Sequence, residues 1–252
     1  MVLPRTVHAA FDKAAHYFGV KARYVDVGPD FRADVRAMER ACDRNTILIV
    51  GSAPQYPHGV VDPIEELGEL ALRRKIPLHI DACFGGFMLP WLEKLGHPVP
   101  LWDFRVPGVT SISADIHKLG YAPKGVSVIL HRSKALRRYQ TFVFEDWLGG
   151  FYASPNLQGS RSGMPMATAW AVMQHLGLEG YLELTRVTLE NADRMRAAIA
   201  GIDGIRVLGD SRFHLVALAS DPSSPRPVDV FALGDALLER GCPVLKSAGI
   251  SG

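Results

Sequence analysis

Apolar residues in this chain fall into two alternating rhythms. Short aliphatic runs, Thr46-Ile-Leu-Ile-Val50, Pro77-Leu-His-Ile-Asp81, Val109-Thr-Ser-Ile-Ser113 and Val126-Ser-Val-Ile-Leu130, alternate with longer segments whose apolar positions recur at helical spacing. The first rhythm suits strands buried in a parallel sheet, and the second suits helices that cover it. Helices are predicted over His8–Phe18, over Phe31–Cys42 with Asp30 as N-cap, and after Asp62-Pro63. At the last site, cap and first-turn proline stand in the favoured order ahead of Ile64, Leu67, Leu70 and Leu72. Ala22–Val27 reads as a further short strand. Strand and helix in turn predict an α/β layer with a mostly parallel sheet.

The second half has a different pattern. Met166–Leu176 continues into Leu178–Ala200 as a long helical stretch, with Leu182, Leu184, Val187, Leu189 and Met195 at core spacing. Gly204–Leu208 and His214–Ala219 read as strands around the turn Gly209-Asp-Ser. A Ser/Pro loop follows, then a helix over Val228–Arg240 ended by Gly241, and a last strand begins near Val244. Two parts are expected: 1–190 as part of a large α/β domain, and 191–252 as part of a smaller α+β domain.

Composition narrows the partners. The 252 residues are 48% hydrophobic and 21% charged, ordinary for a soluble protein with a real core. Net charge is +2 and no basic run is interleaved with aromatics, so nucleic acid is not an expected partner. The basic cluster Arg132–Arg138 reads as a solvated helix start. Cys42, Cys83 and Cys242 have neither disulfide parity nor metal-ligand spacing, so they are expected to be reduced thiols, with no bound metal. No stretch approaches the about 18 consecutive apolar residues of a membrane span, and Met1-Val-Leu-Pro-Arg-Thr lacks a signal-peptide pattern. A cytoplasmic protein is expected.

Two polar residues stand where strands end. Asp81 closes Pro77-Leu-His-Ile-Asp81 ahead of Ala-Cys-Phe-Gly-Gly, and His117-Lys118 follows Ser111-Ile-Ser-Ala-Asp-Ile ahead of Gly120. In an open α/β sheet, the carboxyl ends of the strands form the crevice that binds ligands. A lysine there, with its pKa lowered by burial, suits attack on a carbonyl. Pyridoxal phosphate needs this pair, a lysine for its aldehyde and a carboxylate for its pyridine nitrogen. A lysine taken at random is more often a solvated loop residue.

These two segments belong to a longer series. His8-Ala-Ala-Phe-Asp-Lys-Ala-Ala-His-Tyr-Phe18, Gly51-Ser-Ala-Pro-Gln-Tyr56-Pro-His-Gly, His79-Ile-Asp-Ala-Cys-Phe-Gly-Gly-Phe87 and Ser111-Ile-Ser-Ala-Asp-Ile-His-Lys118-Leu-Gly-Tyr-Ala-Pro-Lys124-Gly come in this order, followed by Asp146-Trp-Leu-Gly-Gly-Phe-Tyr-Ala-Ser-Pro155 and Gly159-Ser-Arg-Ser-Gly163. Together they resemble the sphingosine-1-phosphate lyases of the group II decarboxylase family of pyridoxal-phosphate enzymes. The resemblance runs through nearly the whole chain. It implies the aspartate-aminotransferase type of pyridoxal-phosphate-dependent transferase fold.

The same resemblance implies a role for each matching residue. Lys118 would form the Schiff base with the cofactor, and Asp81 would bond its ring nitrogen. His8 would stack on the ring; alone, it would read as a solvent-facing histidine at a helix start. His117 would reach the cofactor phosphate or orient the aldimine, and Ser160 would serve the phosphate of a neighbouring subunit in a homodimer. Tyr56 would relay a proton, and Lys124 would meet a substrate phosphate as a point charge. The implied reaction is retro-aldol cleavage of a phosphorylated long-chain base to phosphoethanolamine and a fatty aldehyde. Two alternatives stand beside it: an amino-acid decarboxylase of the same family, and a shortened chain that folds without catalysing. Family members carry a glycine-rich phosphate-binding stretch ahead of the segment matching His8 and continue past the segment matching Gly252. A truncated chain that holds the cofactor weakly is therefore also expected.

Overall fold

The computed structural model describes residues 1–242, so the strand expected from Val244 lies outside the described residues. Six strands form the central sheet: β1 (Val2–Pro4), β2 (Arg23–Val25), β3 (Ile49–Ser52), β4 (Leu78–Asp81), β5 (Val109–Ala114) and β6 (Val128–His131). Their order is β2-β1-β3-β4-β5-β6. All neighbours are parallel except β6, which runs antiparallel to β5. Helices α1 (Ala10–Phe18), α2 (Val35–Ala41), α3 (Ile64–Arg74) and α4 (Leu89–Lys94) occupy the connections. The α/β layer with a mostly parallel sheet is the predicted architecture.

Register gives the two faces of the sheet different characters. Gly51, Ile80 and Ile112 are cross-strand partners on one face; on the other, Val50, His79 and Ser111 form one row and Ser52, Asp81 and Ser113 the next. The apolar face is covered by α3, whose Ile64, Leu67 and Leu70 are at most 1% exposed. The helix comes close because glycine allows it: a Cβ on Gly108 would stand 2.1 Å from the Gly68 carbonyl oxygen. The polar face carries the side chains that matter below.

Several boundaries depart from the sequence reading, each for a local reason. Asp30 does not cap a helix. Phe31 turns the chain at φ +63°, so α2 starts only after Asp34, which accepts the Ala37 N–H at 2.9 Å. Asp62 is no cap either. It is buried between two segments and accepts the Ala33 N–H at 2.9 Å and the Ser52 N–H at 2.7 Å, and burial pushes its pKa up to about 6. Arg132 is not solvated as expected of its cluster: its guanidinium donates to the carbonyls of Phe104, Val106 and Val109. Only the following residues form a short helix, α5 (Lys134–Arg137), with Ser133 as its cap. β1, α4 and the hairpin β7 (Phe142–Phe144) with β8 (Tyr152–Ser154) were absent from the sequence reading.

Helix α6 (Met164–Ala200) joins the two predicted helical stretches across a break at Gly177, at φ 56° and ψ −167°. Beyond it, β9 (Ile205–Leu208) and β10 (Ala217–Ser220) pair antiparallel in their own two-stranded sheet, followed by α7 (Val230–Glu239). Tyr181 of α6 is stacked on Trp91 and donates its hydroxyl to the Gly120 carbonyl at 2.9 Å, which fixes α6 against the turn that holds Lys118. Among the described residues no helix is long and apolar enough to cross a membrane.

Candidate active site

The polar rows of the sheet lead to Asp81. Parallel pairing on both sides buries it to 8% exposure at the carboxyl end of β4. Its Oδ1 accepts the Cys83 N–H at 3.1 Å and the Ser113 hydroxyl at 3.3 Å. Among the described residues both hydrogen bonds fall on that oxygen, leaving Oδ2 open to another donor. His79 stands behind, its ring nitrogens 2.8 Å from the Ser111 hydroxyl and 3.2 Å from that of Ser113. Burial pushes the His79 pKa down to about 4, so the imidazole is neutral and does not compete for the carboxylate's charge.

The chain leaves Asp81 through a tight turn. A Cβ on Gly85 would sit 1.9 Å from the Ala53 carbonyl oxygen, so only glycine lets this turn close against the end of β3. The turn presents Cys83 and Phe84 to the segment that follows β5. Lys118 lies there, four residues past the strand, in a turn closed by its own N–H bonding to the Asp115 carbonyl. Its Nζ is 3.0 Å from Asp115 Oδ2 and 4.2 Å from the centroid of the Phe84 ring, and the Cys83 thiol faces it. Cys83 thus joins the two sequence-predicted residues, through its N–H to Asp81 and its sulfur to Lys118. Burial and the Asp81 charge push that thiol up to about 11, so it stays protonated.

The lysine's charge state is a correction to the sequence reading, which expected burial to lower its pKa. Burial does act that way, but the interactions with Cys83 and Asp115 outweigh it and hold Lys118 above its ordinary value, as ammonium. Asp115 is held below the usual carboxylate range. Burial opposes this, but the Ser127 hydroxyl, Lys118 and His117 prevail.

The other predicted residues are brought in unequally. Tyr56 joins the cluster by stacking on Phe84, with ring centroids 5.7 Å apart. Its loop is fixed from beneath by buried Gln55, which accepts the His58 N–H at 2.8 Å. His117 is turned inward, its Nδ1 2.6 Å from the Val126 carbonyl and its Nε2 3.7 Å from Asp115. His8 is exposed at the start of α1, where its Nδ1 accepts the Ala10 N–H at 3.0 Å. It approaches the site only indirectly, one helical turn from Phe11, whose ring lies 5.8 Å from that of His79. Lys124 and Ser160 are exposed on separate loops, which Arg161 connects by reaching the Gly125 carbonyl at 3.4 Å. Among the described residues, no hydrogen bond, ion pair or ring contact joins His8, Lys124 or Ser160 to Lys118 or Asp81.

Sequence reasoning missed Cys83, Phe84, Asp115 and His214. His214 reaches the cluster from far along the chain, its ring 5.1 Å from Phe84. Burial, then Arg196 and Lys118, push it down to about 4. Only Asp115 left a local signal, an acid three residues before a lysine. Partners of the others depend on tertiary contacts that no spacing encodes.

A buried carboxylate with one open oxygen, a lysine linked to it through Cys83 and an aromatic wall suit a carbonyl cofactor with a basic ring nitrogen. Residues 1–220 match the model of the pyridoxal-dependent decarboxylase conserved domain. The chain belongs to the pyridoxal-dependent decarboxylase family. It is 48% identical over 242 residues to sphingosine-1-phosphate lyase 1 of Rattus norvegicus, covering 96% of this chain and 42% of that protein. Identity to the sphingosine-1-phosphate lyase of Arabidopsis thaliana is 47% over 241 residues, 96% of this chain and 43% of the relative. The chain therefore spans less than half the length of these curated relatives. The solved structure of the Burkholderia pseudomallei sphingosine-1-phosphate lyase superposes with a TM-score of 0.94 at 43% identity, over 99% of this chain and 56% of that one. A Lactobacillus brevis glutamate decarboxylase superposes at 0.84 with 24% identity, over 97% of this chain and 56% of that one, a likeness of fold alone.

Proposed function

We propose that the chain carries the core of a pyridoxal-phosphate carbon–carbon lyase that splits a phosphorylated long-chain base into phosphoethanolamine and a long-chain aldehyde. What carries this reading is the meeting of Lys118 and Asp81 across Cys83, in a chain that aligns over 96% of its length with sphingosine-1-phosphate lyases. When bound, the cofactor supplies an aldehyde for amines and an electron-withdrawing ring that stabilises negative charge on the carbon beside the amine.

The chain's own residues divide the remaining work. Lys118 would be the nucleophile for the aldehyde, which requires its Nζ to be free of one proton. Asp81 would hold the ring nitrogen through its open Oδ2, an interaction that burial strengthens. His117, with Nδ1 committed to Val126, orients the lysine turn. Phe84 and Tyr56 shield one side of the lysine, and the exposed Tyr56 would relay the proton of the substrate hydroxyl. His8 would stack on the cofactor ring. Lys124 would meet the substrate phosphate, and Ser160 would serve the cofactor phosphate of a neighbouring subunit.

We also read the chain as one half of a homodimer, with Gly159–Gly163 given to the partner's site. The exposed Phe142, Phe144, Trp147, Leu148 and Phe151 are the surface a second copy would cover. Residues 1–190 are then part of the large domain and 191–252 part of the small one, with α6 passing between them. The free cysteines suit a reducing compartment, and we read the chain as cytoplasmic.

The test is product analysis with added pyridoxal phosphate. A phosphorylated long-chain base should yield long-chain aldehyde and phosphoethanolamine in equal amounts. Carbon dioxide from an amino acid, without aldehyde from the long-chain base, would support the decarboxylase reading instead. Cofactor uptake without either product would mark the chain as non-catalytic by itself.

A further inference from the structure

The acid beside Lys118 is fixed on every side. Asp115 Oδ2 lies 3.0 Å from the lysine Nζ, its Oδ1 accepts the Ser127 hydroxyl at 2.6 Å, and its N–H donates to the Cys83 carbonyl at 3.2 Å. Lys118 and Asp115 have side chains only 21% and 18% exposed, against 67% and 74% for the surface pair Arg212–Asp210. A surface pair is worth little because both ends move and solvent screens them. This pair is held from three segments: the turn after β4, the turn after β5, and Ser127 just ahead of β6.

The groups facing Lys118 define its charge balance. Asp115 comes from its own turn, with His117 Nε2 3.7 Å behind it; Cys83 and Phe84 come from the turn after β4, and His214 from the segment ahead of β10. Burial keeps Cys83 a thiol and His214 neutral. Asp115 is then the anion in direct contact with the lysine.

We propose that Asp115 is the positioning residue of Lys118: its carboxylate docks the lysine nitrogen against Phe84. The inference rests on the reading of Lys118 as the cofactor lysine. An ammonium has no lone pair and cannot attack a carbonyl, so the docked ion pair is the resting form of the lysine, and Ser127 holds the carboxylate that docks it.

Pulse acetylation of the cofactor-free protein across a pH series tests this, with Lys118 compared peptide by peptide against exposed Lys94. Asp115→Asn and Asp115→Ser, read in parallel so that the answer does not hang on one variant, should move the Lys118 labelling midpoint down by about one pH unit or more. Below the midpoint that is about a tenfold rise in labelling relative to Lys94. Asp115→Glu should bring the midpoint back towards wild type, which a merely structural loss would not do. An unmoved midpoint in both variants overturns the proposal. A second arm keeps the underlying reading separate: borohydride fixation of pyridoxal phosphate on the wild type should place the mass gain on Lys118. A gain on another lysine would sink the cofactor assignment, whereas an unmoved midpoint with the gain on Lys118 would sink only the role of Asp115.

Discussion

Residues 49–120 and residues 139–170 treat their apolar side chains in opposite ways. In the first region Ile49, Leu67, Leu70, Leu78, Ile80, Leu89 and Leu92 are at most 1% exposed, and the sheet and helices they pack together carry Asp81 and the turn of Lys118. In the second, Tyr139, Phe142, Trp147, Phe151 and Trp170 are more than half exposed and Leu148 is fully so. The first region completes its own core, so the side chains at its polar end are held by hydrogen bonds counted in single ångströms. The second has the composition of a core and the exposure of a surface, as expected of a face that another protein surface covers. The residues assigned to the site follow the same division. Lys118, Asp81, Tyr56 and His117 converge within or beside the first region, whereas Ser160 lies on the loops of the second.

That contrast can be broken most severely at Asp81. Replacing it with Asn keeps the shape but removes the charge, and turnover with saturating cofactor should fall about a thousandfold, about 4 kcal/mol of transition-state stabilisation. Unchanged turnover would place the ring-nitrogen partner elsewhere. In the core, Leu67→Ala should cost about 2–5 kcal/mol in urea unfolding, because α3 cannot collapse onto the sheet to fill the space. Leu148→Ser, in contrast, should leave unfolding within about 0.5 kcal/mol in a monomeric sample while weakening self-association in sedimentation. A large loss of monomer stability from Leu148→Ser would show that residues 139–170 belong to the core after all.

Acid titration sharpens the account of the buried charges. His79 and His214, both pushed down to about 4 by burial, give stability that is full above pH 6.5 and is lost as pH falls towards 4. Asp62, pushed up to about 6, acts in the opposite sense: its contribution is full below its ordinary 3.8 and is lost as pH rises through 6. The two trends oppose each other, but two histidines outweigh one carboxyl, so wild-type stability should still fall between pH 6.5 and 4. Asp62→Asn removes one of them and should steepen the acid loss, read as urea midpoints at the two ends. A slope equal to wild type would mean that Asp62 stays ionised. The smallest effect belongs to Asp229, which caps α7 by accepting the Phe231 and Ala232 N–H groups at 2.8 and 3.1 Å. Its replacement by Ala should cost about 1 kcal/mol, and thermal unfolding measures it.

Much of this was legible in the sequence because strand ends announce themselves. Asp81 and Lys118 each follow an aliphatic run and precede glycine, and these two residues the fold brings to one site. β1 was not legible: three residues ending in a proline are too short to show alternation, yet Val2–Pro4 pairs with β2 along its length and with β3 at Val2. Asp62 looked like a cap because Asp-Pro opens many helices; only the tertiary approach of residue 33 to the end of β3 gives it two buried N–H partners instead. The charge on Lys118 was misjudged for the same reason. Burial is readable from a strand end, but the carboxylate that overrides it depends on how the turn from Asp115 to Gly120 folds back on itself. The aromatic residues of β7 and β8 resemble core in sequence and become surface because the described chain offers nothing to cover them.

The central claim is that Lys118 and Asp81 form one cofactor site, and borohydride fixation tests it directly. Wild-type protein incubated with pyridoxal phosphate, reduced and digested should carry the mass gain on the peptide containing Lys118, and Lys118→Ala should carry none. Fixation that survives in Lys118→Ala at wild-type yield would contradict the account.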